Sequence, residues 1–264
     1  MSGFLISILM MVGLALIAAI GLTLAAKFMA VPVDEKEQTL RDVLPGANCG
    51  ACGFAGCSDY AAALAKGDIA PNLCSAGGAS VAAAIGAVLG VDAGEVEEQV
   101  AFVACSAKKT EKSRQMDYQG YQTCAGAREF FGGENGCKFG CLGYGDCAAV
   151  CTKDAISLCD GLAMVDAVQC MGCGACVKVC PNGVVSMVPK KAKYAVGCQS
   201  KEKGKDTRAN CQSGCIGCKL CEKACKFEAI QVVDNCAVID QTKCKNCGAC
   251  AKACPRHIIR KRLS

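Results

Sequence analysis

Cysteines set the chemistry open to this chain: there are 26 among 264 residues, and most fall in short runs. The run Cys244-x2-Cys247-x2-Cys250-x3-Cys254-Pro255 repeats the spacing of Cys170, Cys173, Cys176, Cys180 and Pro181. Three thiols spaced by two residues can bend onto one face, while a fourth, three residues on, starts a helix and points toward a second centre. That is the ligand logic of bacterial-type four-iron clusters, in which the fourth cysteine of one run serves the other cluster of a pair. Thiols packed so densely cannot readily form strain-free disulfides with one another, but they can share a metal core. Zinc on four cysteines is the alternative, although its usual signature is two separated CxxC pairs.

The runs extend to an internal repeat. Cys147, Cys151, Cys170, Cys173, Cys176 and Cys180 recur at one constant offset as Cys221, Cys225, Cys244, Cys247, Cys250 and Cys254, and so many coincidences at a single offset mark a duplication. Crossed ligation then groups Cys215, Cys218 and Cys221 with Cys254, and Cys244, Cys247 and Cys250 with Cys225. In the earlier copy it groups Cys137, Cys141 and Cys147 with Cys180, and Cys170, Cys173 and Cys176 with Cys151. The first run of that copy reads C-x3-C-x5-C-x3-C, an expansion rich in Gly140, Gly143 and Gly145. A separate pattern, Cys49-x2-Cys52-x4-Cys57-x16-Cys74, makes a self-contained fifth site. These twenty cysteines are the expected iron ligands of five four-iron clusters.

Six cysteines remain. Aligning the copies sets Cys159 against Val233 and Cys236 against Leu162, within hairpin-like segments whose turns fall at Asp160-Gly161 and Asp234-Asn235; both thiols read as small apolar core residues. Cys105, Cys124, Cys198 and Cys211 read as buried or paired structural thiols, a sixth cluster on those four being the sharper alternative. His257 is the single histidine, and the sequence holds no GxGxxG fingerprint or P-loop, so no catalytic constellation can be built.

The elements that must position these thiols follow from composition. Trp is absent and aromatic residues make up 5%, so the cores are small and ligand gathering supplies much of the folding free energy. The formal charge of +5 counts every cysteine as neutral; twenty thiolates on five oxidised cores would add about ten negative charges, which speaks against nucleic acid as a partner. Residues 3–26 carry no charged side chain and suffice for a membrane-spanning helix rather than a cleaved leader. Lys27 and Arg41 follow the span, which places the rest of the chain on the cytoplasmic side.

The expected organisation is an α+β chain. An anchor at 1–30 leads to a small helical four-iron domain with its connector at 31–76, in which Ser58–Lys66 form a helix ended by Gly67. A helical and irregular linking region follows at 77–136. Two tandem ferredoxin-like βαββαβ modules occupy 137–188 and 211–264, separated by a basic linker at 189–210. The lysines and arginine of that linker, Lys190, Lys191, Lys193, Lys201, Lys203, Lys205 and Arg208, form a solvated segment or a docking face for an acidic redox carrier.

The order of an apolar N-terminal helix, a C-x2-C-x4-C-x16-C domain and duplicated cysteine runs, the first reading GCKFGCLGYGDCAAVC, resembles the B subunit of the Rnf complex, a membrane-bound ferredoxin:NAD+ oxidoreductase that couples electron flow to Na+ or H+ transport. The resemblance covers essentially the whole chain. It implies four-iron clusters on the twenty cysteines, reduced ferredoxin as electron donor, other Rnf subunits as acceptors, and a single-pass location in the inner membrane. A polyferredoxin subunit of another membrane-bound redox complex and a zinc-bound structural protein are the competing readings.

Overall fold

A computed structural model describes residues 2–28, 34–67, 69–94 and 96–262. The end of the expected anchor and the start of its connector, 29–33, lie outside these residues, as do 263–264. Helix α1, Ser2–Phe28, contains an uncharged stretch, Leu5–Leu24, of mean hydropathy 2.7, none of it buried against the rest of the chain. That is long and apolar enough to cross a bilayer.

Three helices form the next unit: α2 (Glu35–Val43), α3 (Cys57–Lys66) and α4 (Gly78–Leu89). Asp34 caps α2 by accepting the N–H of Lys36 at 3.0 Å, and Gly67 ends α3 at φ 82°, a left-handed cap that glycine adopts without steric penalty. Leu40, Tyr60, Leu64 and Ile85 are fully buried between them, each side chain contributing roughly 1.5–3 kcal/mol.

The remainder is a duplicated unit. Its first copy contains β1 (Gln99–Val103), α5 (Cys124–Glu129), α6 (Asp146–Ala149), β2 (Ile156–Cys159), β3 (Leu162–Val165), α7 (Ala175–Val179) and β4 (Val185–Pro189). Then come β5 (Tyr194–Val196), α8 (Gly204–Asn210), α9 (Leu220–Lys223), β6 (Ile230–Val233), β7 (Cys236–Ile239), α10 (Ala249–Ala253) and β8 (Ile259–Lys261). From α6 to β4, every element precedes its counterpart by the offset that relates the cysteine runs. The hairpins β2-β3 and β6-β7 close Cys159 on Leu162 and Val233 on Cys236. Their turns lie at Asp160-Gly161 (φ 48° and 69°) and Asp234-Asn235 (φ 46° and 65°), the double positive φ of a type I′ turn.

The outer strands come from segments expected to be linkers. β1 pairs antiparallel with β4, matching Val103 with Val185, and β5 pairs with β8, matching Val196 with Ile259. The linking region 77–136 and the basic segment 189–210 therefore each supply the strand that closes a copy. The basic segment is not a free tether: Ser200 and Thr207 are buried, and Lys190 and Lys201 pair with Glu98 and Asp234.

Between β1 and α6 the first copy carries extra chain. Residues 109–115 run between 134–136 and 210–212, tied by Ser113 N–H to Asn210 O (2.9 Å), Gly136 N–H to Ser113 O (2.8 Å) and Gln212 N–H to Glu111 O (2.8 Å). Buried Glu134 accepts from Lys109 and Arg114, each at 2.8 Å. Burial alone would raise its carboxyl pKa, but these two cations hold it below the ordinary range.

Candidate iron-sulfur sites

Cysteines gather in fours, and the groups follow the fold rather than spacing alone. In the N-terminal unit, burial and then repulsion from Cys52, Cys57 and Cys49 raise the Cys74 thiol. Asn48 anchors the loop by accepting the Cys57 N–H at 2.8 Å. The Tyr60 hydroxyl accepts the N–H of Leu73 at 3.3 Å and donates to Ala70 O at 3.1 Å, which holds the segment returning Cys74.

Within the duplicated unit, Cys151, Cys170, Cys173 and Cys176 line one hollow, and Cys215, Cys218, Cys221 and Cys254 line another. Cys250 has Cys244 and Cys225 as neighbours, with Cys247 on the same loop. These groups follow the crossed pattern.

The first copy departs from it. Its remaining hollow is lined by Cys124, Cys141, Cys147 and Cys180. Cys137, assigned by spacing to that set, lies instead with Cys105, Cys198 and Cys211. The expanded run is no insertion: Cys137 and Cys141 precede Cys211 and Cys215 by the same offset as the rest, and Tyr144 stands where the second copy has Cys218. Cys124 fills that gap from α5. The carboxylate of Asp146, the first residue of α6, accepts the N–H groups of Cys124 (2.8 Å) and Ala125 (3.0 Å), while Thr123 caps the helix by accepting from Gly126 at 3.1 Å.

The expected pairing of Cys159 with Cys236 as core thiols also divides. Cys236 is buried, whereas Cys159 is exposed at the end of β2, where the strand leaves the core. Cys236 donates to Cys198 O at 3.2 Å and keeps its proton between the thiols of Cys198 and Cys215, both of which it lowers.

Elsewhere burial dominates, then mutual repulsion. Cys147 is pushed up to about 12 by burial and by Cys141, Cys124, Cys180 and Cys176. Cys221 is pushed up to about 11 by burial and, among its neighbours, by Cys215, Cys254 and Cys218. Thiols placed as Cys147 and Cys221 are resist ionisation by themselves, and a cationic core beside them would relieve the repulsion. Backbone donors stand ready for the thiolates: Ala101 N–H lies 3.4 Å from Cys170 Sγ, Val184 N–H 3.3 Å from Cys180 Sγ, and Asn246 N–H 3.4 Å from Cys244 Sγ. Among the described residues no three His, Cys, Asp or Glu side chains are arranged around a single metal ion. Four thiols around each of three hollows suit a soft, multi-iron core held by thiolates alone.

Comparisons with known proteins agree with this chemistry. An Fe-S cluster family model matches residues 44–76, a 4Fe-4S dicluster domain matches 169–229, and a 4Fe-4S binding domain matches 237–260. The dicluster match straddles the two strand-closed copies, joining the second run of one to the first run of the next. Among curated proteins, the B subunit of the Na+-translocating ferredoxin:NAD+ oxidoreductase complex of Acetobacterium woodii is 43% identical over 92% of this chain and 74% of its own length. The B subunit of the ion-translocating oxidoreductase complex of Methanosarcina acetivorans is 40% identical over 96% of each. The B subunit of the proton-translocating ferredoxin:NAD+ oxidoreductase complex of Clostridium ljungdahlii is 38% identical over 94% of this chain and 88% of its own. With its cysteine quartets and its similarity to these proteins along nearly its whole length, the chain belongs to the family of B subunits of ion-translocating ferredoxin:NAD+ oxidoreductase complexes, as an iron-sulfur electron-transfer subunit.

Proposed function

We propose that the chain accepts electrons from reduced ferredoxin and delivers them to the other subunits of its complex through clusters held by cysteine quartets. The observation that carries this reading is the gathering of four thiols around each of several hollows. When bound, a four-iron core supplies reversible one-electron storage without bond making or breaking. The protein's own work is to hold the thiolates, direct N–H groups at sulfur and set the local charge.

Five quartets carry this assignment: Cys49, Cys52, Cys57 and Cys74; Cys124, Cys141, Cys147 and Cys180; Cys151, Cys170, Cys173 and Cys176; Cys215, Cys218, Cys221 and Cys254; and Cys225, Cys244, Cys247 and Cys250. Lys178 on α7 donates to Gly50 O at 3.3 Å, which sets the first quartet's loop against the helix bearing Cys176. Helix α1 anchors the relay, with the cluster-bearing units on the cytoplasmic side. This keeps it beside its acceptor at high effective concentration.

Ferredoxin docks, in this reading, at the exposed basic surface of α8 and its approach, where Lys203, Lys205 and Arg208 lie. The test is anaerobic stopped-flow reduction of the purified complex by reduced ferredoxin. Cluster bleaching should be rapid and should slow as salt rises, and K203E/K205E/R208E should slow it several-fold at low salt. No bleaching by ferredoxin overturns the donor assignment, and unchanged rates in the variant overturn the docking face. Protease protection in oriented vesicles checks the membrane side.

A further inference from the structure

Cys105, Cys137, Cys198 and Cys211 line a single hollow, and they are two pairs of equivalent residues in the duplication. Cys137 and Cys211 are separated by the repeat offset itself. Cys105 and Cys198 each stand two residues beyond the first strand of their copy, after Val103 and Val196, whose partners Val185 and Ile259 occupy matching places in β4 and β8. Both copies therefore contribute the same two positions to one place.

Equivalent glycines lie against these sulfurs. A Cβ at Gly140 would meet Cys137 Sγ at 3.6 Å and Cys105 Sγ at 3.7 Å, and one at Gly214 would meet Cys211 Sγ at 3.5 Å and clash with the Thr207 side chain. One local backbone turn matches that of another quartet: the N–H of Ser200 lies 3.5 Å from Cys198 Sγ, as that of Asn246 lies 3.4 Å from Cys244 Sγ. The hydroxyl of Ser106, on the rim of the same hollow, is buried without a hydrogen-bond partner.

We infer that these four cysteines hold a sixth four-iron cluster, shared between the two copies and placed to connect them. The inference rests on the iron-sulfur reading above and adds a site to it. Cys105 and Cys211 pack in the core of the first copy, while Cys198 packs against the core of the second. Cys198 Sγ also accepts the N–H of Cys215 at 3.3 Å, and Cys105 neighbours Cys141. Cys141 and Cys215 belong to the adjoining quartets on either side.

The test is iron and acid-labile sulfide analysis, with Mössbauer and EPR spectra of the dithionite-reduced protein, on the full chain purified anaerobically. Six clusters give about 24 irons per chain, and five give about 20. The variant C105S/C198S/C211S should lose about four irons and one cluster's share of the reduced spin signal, leaving the other signals in place. A wild-type count near 20 overturns the inference, as does a variant that keeps the wild-type count. If the variant does not fold, the wild-type count decides alone. Absence of acid-labile sulfide sinks the iron-sulfur reading as a whole, so the two failures are distinguishable.

Discussion

Tyr144 occupies in the first copy the position that Cys218 occupies in the second. Cys218 lines its quartet's hollow; Tyr144 instead packs edge-on against Tyr118, ring centroids 5.9 Å apart, and Cys124 completes the set. A thiol on a separate helix thus stands where the second copy uses one of its run, while the other three stay in register. C124S should therefore remove one cluster, about four irons, whereas C124A/Y144C, which restores the second copy's ligand pattern, should recover it. Iron analysis and the EPR of the reduced protein read both outcomes. Retention of full iron by C124S would return Cys137 to the first-copy quartet.

Asp146 is the counterpart of Leu220, and its carboxylate holds the relocated ligand's helix through the N–H groups of Cys124 and Ala125. Each such bond to a charged acceptor is worth roughly 1.5–3 kcal/mol. D146L should leave the iron count of fresh protein near wild type but speed chelator-driven release of one cluster by about tenfold or more. Release at the wild-type rate would show that Thr123 capping alone suffices.

Much of this architecture is legible in the chain itself. The internal repeat, both hairpin turns and the helix stop at Gly67 follow from spacing and turn chemistry, and the gathering of Cys215, Cys218, Cys221 and Cys254 around one hollow is the grouping that the crossed rule gives. What stays hidden has physical reasons. β1 and β5 are short strands in polar surroundings, so they carry little periodic signal of their own, and their closure of each copy depends on chain far downstream. Reading runs by proximity in sequence groups Cys137 differently from the hollow it lines. Comparing it with Cys211 at the repeat offset gives its neighbour in the structure, and the substitution of Tyr144 for Cys218 then signals a thiol from elsewhere. No spacing rule reaches Cys124, because tertiary contacts bring α5 to the site: the Asp146 clamp, Arg128 on Asn182, and the packing of Ala127 with Leu142.

Tyr60 ties the N-terminal quartet together through one hydroxyl that both accepts from Leu73 N–H and donates to Ala70 O. Y60F keeps the ring's packing against Phe54 (centroids 5.4 Å apart) but strands a partly buried backbone N–H, at a cost of about 1–3 kcal/mol. The first of the chain's clusters should then be lost at lower temperature than in wild type, while the clusters of the duplicated unit melt unchanged. Absorbance-monitored melting with residue-resolved hydrogen exchange over 70–74 separates the two.

Lys112 is buried, its ammonium 2.6 Å from Cys141 O, and its charge reaches both Cys141 and Cys211, members of two different quartets. A buried ammonium is costly in an apolar interior unless other charges compensate it, and clusters held by the two proposed quartets would supply that compensation. Its positive charge favours the reduced, more negative form of each neighbouring centre. K112M should therefore lower the potentials of two centres together, by on the order of 50–100 mV, the Coulomb energy of a unit charge several ångströms away at an effective dielectric near 20. The remaining centres should shift by much less. Redox titration followed by EPR measures each one; a shift confined to a single centre would mean that Lys112 faces one quartet only, and no shift would mean that solvent already screens it.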